Sequence, residues 1–548
     1  MRVKQHFGAA LVMALVPATL VSAQHAAEEE REKFVIIEGL GDHHHQITTA
    51  APQSQRFFDQ GLRLLYAFNH SEAIRAFRAV EDVDPHCAMA QWGIAYALGP
   101  NYNLPAEPER DKEAFAALEK AQRYARHATP PEQDYIAALA KRYAPDPDTA
   151  DREALNQAYA DAMRELTKKY PDDMDALTLY AEALMDLRPW ELWARDGRPQ
   201  PGTEEIVATL EKVLAKEPNH PGANHFYIHA VEASPYPERG LASADRLPGI
   251  MPGAGHMVHM PAHIYLRLGR YEAAADNNRR AVTADRAYIA KCKPEGIYPM
   301  MYYPHNIHFL WSSLCVLGHR AESLAAADEI GALMSDDLVR QMPMIEGFVP
   351  TRLFTLVQFG MWDEVLNAPA PSADFFYATS MRHYGRGLAF VHQKKLDNAQ
   401  QELKSLREVQ ATIPEESVAG RHPMVKLVAI AGDILEGKLA AARGKTAEAV
   451  ASLERAVAAQ DELQYDEPPP WFYPIRQSLG AVLLAAGRAK EAEAVYRADL
   501  KEHPENGRSL FGLAASLKAQ NSPQAKDAQD RFEKAWSSAD VRLQSSEY

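Results

Sequence analysis

Eight of the 21 histidines in this 548-residue chain fall between His220 and His308, and their spacing could do chemistry. His225 and His229 stand four apart, with Glu232 three further on. His256, His259 and His263 follow at three and four, and His305 and His308 at three. On a helix turning about 100° per residue each set covers an arc of about 60°, so each presents its imidazoles to one side. Two imidazoles at i, i+3 or i, i+4 can share one cation, and neighbouring helices can complete its shell. Neutral imidazole suits zinc, copper, iron or nickel. Glu232 widens the choice to di-metal chemistry, and the Met260 thioether, on nearly the same face as His256 and His263, favours copper. The expected cofactor is therefore a transition metal ion, copper or zinc first and iron third. A single helical histidine is ordinarily a surface or core residue, and a pair at four is common by chance; seven on three segments are not.

Those segments recur. Residues 255–286 read GHMVHMPAHIYLRLGRYEAAADNNRRAVTADR, with Ala262, Tyr265, Gly269, Tyr271, Ala274 and Ala281 in a small/large pattern. Residues 473–504 read YPIRQSLGAVLLAAGRAKEAEAVYRADLKEHP, with Gly480, Gly487, Ala492, Tyr496 and a closing Pro504; near the start stand Gly61, Ala73, Phe77, Val80 and Pro85. Small residues let two helices approach, glycine turns the chain and proline stops the second helix. These segments resemble the tetratricopeptide repeat, a helix–turn–helix that must stack on its neighbours to bury its apolar face. The pattern predicts an all-α superhelical solenoid of about 11 repeats, with starts near 54, 88, 174, 221, 255, 304, 346, 380, 430, 473 and 507. The organisation expected is a signal peptide at 1–23, a polar segment with a His tract at 24–53, and N-terminal repeats at 54–173. Central His-bearing repeats follow at 174–345 and C-terminal repeats at 346–548. The Pro-, Gly- or aromatic-rich stretches 187–203, 235–254, 286–303 and 464–472 read as loops, and a short strand is conceivable only at Phe34–Ile37.

In that family the second, fifth, ninth and twelfth residues of the first helix face the concave groove. The resemblance thus implies one inner wall carrying His225, His229, His256, His259, His263, His305, His308 and Glu232. One repeat earlier it brings Thr178, Glu182 and Asp186 to the same wall, so that Glu182 or Glu232 could be a general base or bridging ligand. Trp190 and Trp193 in RPWELW, and Trp471, Tyr473 and Arg476 in YDEPPPWFYPIR, could wall a substrate pocket. His43, His44 and His45 form a polar tract that could bind metal or cover the groove, and His220 and His319 read as surface turn residues. Asn101-Tyr102-Asn103 reads as a cap or turn.

The remaining composition narrows the classes. With 59 basic against 74 acidic residues and a net charge of −15, there is no basic excess for phosphate backbones, so no nucleic-acid partner is expected. Arg2 and Lys4, the apolar run 9–20 and Val21-Ser22-Ala23 read as an export signal cleaved after Ala23, too short to span a bilayer; an exported, periplasmic or secreted protein is expected. Cys87, Cys292 and Cys315 are too few for a disulfide framework. The phosphate-loop, nucleophile-elbow and H-E-x-x-H motifs are missing. Two functions of different class remain: a metal-binding protein, with or without a reaction on a small molecule, and a non-catalytic scaffold holding a peptide or protein in its groove.

Overall fold

Glycines set against one large ring build the helix pairs. A Cβ on Gly61 or on Gly93 would lie 2.5 Å or 2.7 Å from the Phe77 ring, and one on Gly480 or Gly512 would lie 2.4 Å or 2.1 Å from the Tyr496 ring. Each ring sits on the second helix of a pair and is gripped by the first helices on both sides. The same device therefore operates in repeats at opposite ends of the chain, and it requires residues with no side chain at the grip.

The computed structural model describes residues 34–548, so the export signal and Ala23 lie outside the described residues. Contacts separate 34–36 from a unit spanning 37–548. That unit is a tetratricopeptide-like all-α solenoid: Pro52–Tyr66 pairs with His70–Val83, Met174–Met185 with Thr203–Lys216, Phe376–His392 with Leu396–Gln410, and Gly507–Ala519 with Ala525–Ala535. Among the described residues the strands are Val418–Ala419 and His422–Pro423, a two-residue antiparallel ladder. Phe34–Ile37 is not one of them. Two expected loops are partly helical. The stretch 235–254 contains Leu241–Ile250, and 286–303 holds the end of Tyr271–Cys292 and a π-helical turn at Tyr298–Tyr302. Among the described residues no helix is long and apolar enough to cross a membrane.

The helices that carry the histidines are Pro221–Glu232, Gly255–His259, Pro261–Arg267 and Tyr303–Leu317. Pro261 accounts for the break between the second and third, because it supplies no N–H and crowds the carbonyl four residues back; buried Met260 sits at the break. Contacts between segments remote in sequence then tie the repeats together. Tyr288 Oη donates to Glu72 at 3.1 Å, Gln464 Nε2 donates to Glu191 at 2.8 Å, and Arg508 donates to the Gln358 carbonyl at 2.8 Å.

One such closure rests on a turn. Gly269 has φ +70°, and a Cβ there would lie 2.3 Å from the Pro504 carbonyl oxygen. Gly487, at the matching place in its own repeat, has φ +76° with nothing within 4 Å. Gly487→Ala is expected to lose about 1–2 kcal/mol for the left-handed backbone alone. Gly269→Ala is expected to lose more, since backbone must also move. Urea unfolding midpoints of the two variants check the order.

Candidate metal centre

Seven histidines were expected on one wall, and the structure brings six of them into two adjoining groups. One ligand nitrogen from each of His225, His229 and His256 lies within 4.8 Å of the others, and the same holds for His259, His263 and His305. The groups adjoin, with ring centroids 5.5 Å apart for His229 and His263 and 5.6 Å apart for His256 and His259. His225, His229, His256, His259 and His263 are buried, and His305 is half-buried.

What each imidazole does with its Nδ1 is the informative part. His225 Nδ1 donates to the Tyr66 carbonyl at 2.6 Å. His229 Nδ1 donates to Glu232 Oε1 at 2.8 Å. His259 Nδ1 donates to Asn278 Oδ1 at 2.9 Å, and that amide cannot be turned round because its Nδ2 donates to the Ala274 carbonyl at 2.8 Å. His263 Nδ1 lies 2.5 Å from Glu232 Oε2 and 3.4 Å from Glu467 Oε2. In the first three rings an acceptor fixes the proton on Nδ1, so in the neutral ring Nε2 carries a bare lone pair, whereas His263 Nδ1 stands close to two carboxylates without a hydrogen bond to either. Those lone pairs point inward: His259 Nε2 and His263 Nε2 are 2.9 Å apart, His225 Nε2 faces His256 Nε2 at 3.2 Å, and His229 Nε2 has no partner. His256 Nδ1 is likewise buried without one.

Burial, then the charge of neighbouring imidazoles, holds His225, His256 and His259 well below the ordinary histidine range, and burial with His263 takes His305 down to about 3. Burial would raise the Glu232 carboxyl, but the His263 and His229 rings outweigh it and hold the group below the ordinary carboxylate range. Glu467 goes the other way: burial and the Glu232 charge push it well above the ordinary carboxylate range.

Several lining residues come from far away in the chain. Phe68 packs 4.5 Å from His225 and stacks on His229 and His256 at 6.0 and 5.8 Å. Phe309 lies 4.4, 4.6 and 4.9 Å from His259, His263 and His305. Tyr302 meets His256 at 4.8 Å, and Tyr102, read above only as a turn residue, meets His229 at 5.1 Å. Glu467 is held by the Tyr465 hydroxyl. Nothing in local spacing marks these residues, apart from the acidic pair inside the Pro-rich stretch at 464–472. Gly255 admits its helix to the site: a Cβ there would lie 1.9 Å from Asp285 Oδ1, which accepts from Tyr298 Oη at 2.8 Å.

Other expected site residues stand elsewhere. His308 lies flat on Trp311 at 4.9 Å with Phe348 at 5.2 Å, because the turn of Tyr303–Leu317 that aims His305 inward aims His308 at the next repeat. Glu182 is not among the imidazoles. It accepts from the Tyr96 hydroxyl beside the buried Arg142–Asp186 ion pair, so it is no base or bridging ligand here, and Asp186 goes with it. Thr178 caps back onto the Met174 carbonyl at 2.8 Å. Trp190 does reach the site, edge-on to His229 at 5.6 Å, stacked on Tyr102 and covered by the Arg421 guanidinium at 3.7 Å. Trp193 donates to the Ala230 carbonyl at 2.8 Å, which ties its loop to the helix. Trp471 and Tyr473 belong to the C-terminal core, against Tyr384, and Arg476 pairs with Asp461 at 2.6 Å; apolar packing and an ion pair account for all three. Their segment contributes Tyr465 and Glu467 to the centre in their place.

The His tract gathers at a different point. His43 Nε2, His45 Nδ1 and His220 Nε2 meet the Asp175 carboxylate at 2.9, 2.7 and 3.2 Å, and Tyr66 Oη donates to it at 2.5 Å. His220 is thus 2% exposed and no surface residue. Its Nδ1 accepts from Ala223 N at 3.1 Å, so Nε2 is the donor to Asp175. Burial would lower His45, but the hydrogen bond to Asp175 prevails and takes it up to about 9. These rings donate protons to a carboxylate and clasp the 42–51 segment to the repeats.

Along the histidine rows the rings pack on one another and on Phe68, Phe309 and Trp190. No family model matches the chain, and no curated protein matches it. Among solved structures it is similar to a human IFIT1 dimer with m7Gppp-AAAA at 11% identity, covering 89% of this chain and 91% of that one with TM-score 0.34. It is similar to the APC/C hetero-tetramer Cut9-Hcn1 at 11%, covering 94% and 81% with TM-score 0.33. A third is the P58(IPK) TPR domain at 11%, covering 85% and 98% with TM-score 0.23.

Proposed function

We propose that this protein binds a transition metal, copper or zinc, through the buried histidines of its central repeats, and that it works as an exported metalloprotein acting on a small molecule. One observation carries the reading. Three buried imidazoles have Nδ1 tied to a carbonyl, an amide or a carboxylate and Nε2 turned inward as a lone pair, and a fourth, His263, stands against the Glu232 carboxylate. Metal-bound histidines are ordinarily oriented in this way by a partner on the other ring nitrogen. A groove that binds peptide by hydrogen bonds needs exposed imidazoles; here five of the seven are buried. Three imidazoles per ion leave a coordination position open for water or substrate. The acidic balance of the chain favours cations near it.

The test is elemental analysis of untagged protein after supplementation with copper and zinc. Stoichiometric metal is expected, and none is expected in the His225→Ala/His256→Ala/His259→Ala/His263→Ala variant with its helical circular dichroism retained. Metal-free supplemented protein, or equal loading of that variant, overturns the reading.

A further inference from the structure

We infer that the centre is a pair: two monovalent copper ions, one held by His225, His229 and His256 and the other by His259, His263 and His305, with Glu232 as the carboxylate that joins the two halves. This rests on the metal reading above and goes further in number, assignment and oxidation state.

The number follows from how the nitrogens are paired. Two imidazole nitrogens each about 2.0–2.1 Å from one ion stand roughly 3.3 Å apart at a tetrahedral angle. His225 Nε2 and His256 Nε2 are 3.2 Å apart and His259 Nε2 and His263 Nε2 are 2.9 Å apart, each pair inside its own group. A single ion could take four of the six nitrogens and would leave at least two lone pairs buried without a partner, each a cost of about 1–3 kcal/mol. Two ions use all six.

Glu232 divides itself evenly between the halves. Its Oε1 takes the Nδ1 proton of His229, a member of the first group, and its Oε2 faces Nδ1 of His263, a member of the second. One carboxylate therefore orients a ligand of each ion, so the two sites are built by one structural element and not by two separate ones.

Charge bears on the choice of ion. A ligating imidazole is neutral, and two carboxylates, Glu232 and Glu467, lie against His263. Two divalent ions would exceed the charge of both carboxylates by two in a site where the histidines are 0–2% exposed apart from His305, and two monovalent ions would match it. Buried uncompensated charge is costly, and the cost rises steeply with its amount. Imidazole suits copper among its other partners, and aromatic walls from Phe68, Phe309 and Tyr302 give a dry, apolar surrounding in which a monovalent ion needs no water.

The experiment counts ions in the full chain. Protein is titrated anaerobically with Cu(I) against bicinchoninate, and separately with Zn(II), and the bound metal is measured per chain. Two Cu(I) are expected, with zinc binding weaker by at least ten-fold. His225→Ala/His256→Ala and His259→Ala/His263→Ala are each expected to keep one, and circular dichroism tells a lost site from a lost fold. One Cu(I) in the parent overturns the pair and leaves the metal reading standing. Two zinc ions held more tightly than copper overturn the choice of ion. Loss of all metal in both double variants, with the fold intact, overturns the division into halves. No metal of either kind overturns the metal reading itself.

Discussion

Glu232→Gln is expected to weaken the binding of metal in both halves of the centre, by about 10- to 100-fold for each. The physical reason is a proton. A carboxylate accepts from two Nδ1–H groups, whereas a glutamine of the same size accepts with one end and offers N–H with the other. The ring that meets the amide nitrogen, His229 or His263, must shift its proton to Nε2, and a protonated Nε2 is no ligand. Competition titration with a chromophoric chelator measures the loss, and the thermal midpoint of the metal-free variant serves as control. An unchanged affinity would show that Glu232 packs against these rings without orienting them.

Arg142→Ala is expected to lose about 3–5 kcal/mol of stability, the largest single effect on folding. The guanidinium is 1% exposed, pairs with Asp186, donates to the Pro100 carbonyl at 2.8 Å and lies over Tyr159 and Tyr96 at 5.0 and 5.6 Å. Its removal strands Asp186 next to Glu182. Burial already pushes Asp186 up to about 6, while burial and the Asp186 charge push Glu182 up to about 8. Without the arginine both carboxyls must be protonated at neutral pH, which raises the cost as pH rises. Arg142→Met with Asp186→Leu is expected to recover much of the loss, because an apolar pair leaves no buried charge. Urea midpoints of the two variants compare them; equal losses would show that cavity formation and not charge is at work.

Both residues illustrate what could be read in advance. Glu232 lies three residues after His229 on one helix, and that local spacing placed it correctly beside the ring. Glu182 stands in a comparable i, i+4 relation to Asp186, and the repeat register assigned both to the histidine wall. The structure puts them against Arg142 instead, a residue 40 positions earlier that no spacing rule connects to them. His308 failed for a related reason: an arc of about 60° is wide enough for its two ends to face different neighbours, and Trp311 and Phe348 claimed that end.

Local periodicity therefore told the helix pairs, the repeat and which histidines of one helix lie on one side, since contacts at three and four residues depend on the helix alone; of the seven expected on one wall the structure gathers six. The partners that give those histidines their chemistry come from Tyr66, Phe68, Asn278 and Glu467, and folding brings these together from across 400 residues of chain. Which nitrogen carries the proton, and hence whether an imidazole is a ligand or a donor, depends on that encounter. The His43 and His45 tract makes the same point, since it reads as a metal-binding sequence and becomes a set of proton donors around Asp175. Residue type and spacing name the candidates; the acceptor on the far side of each ring assigns the role.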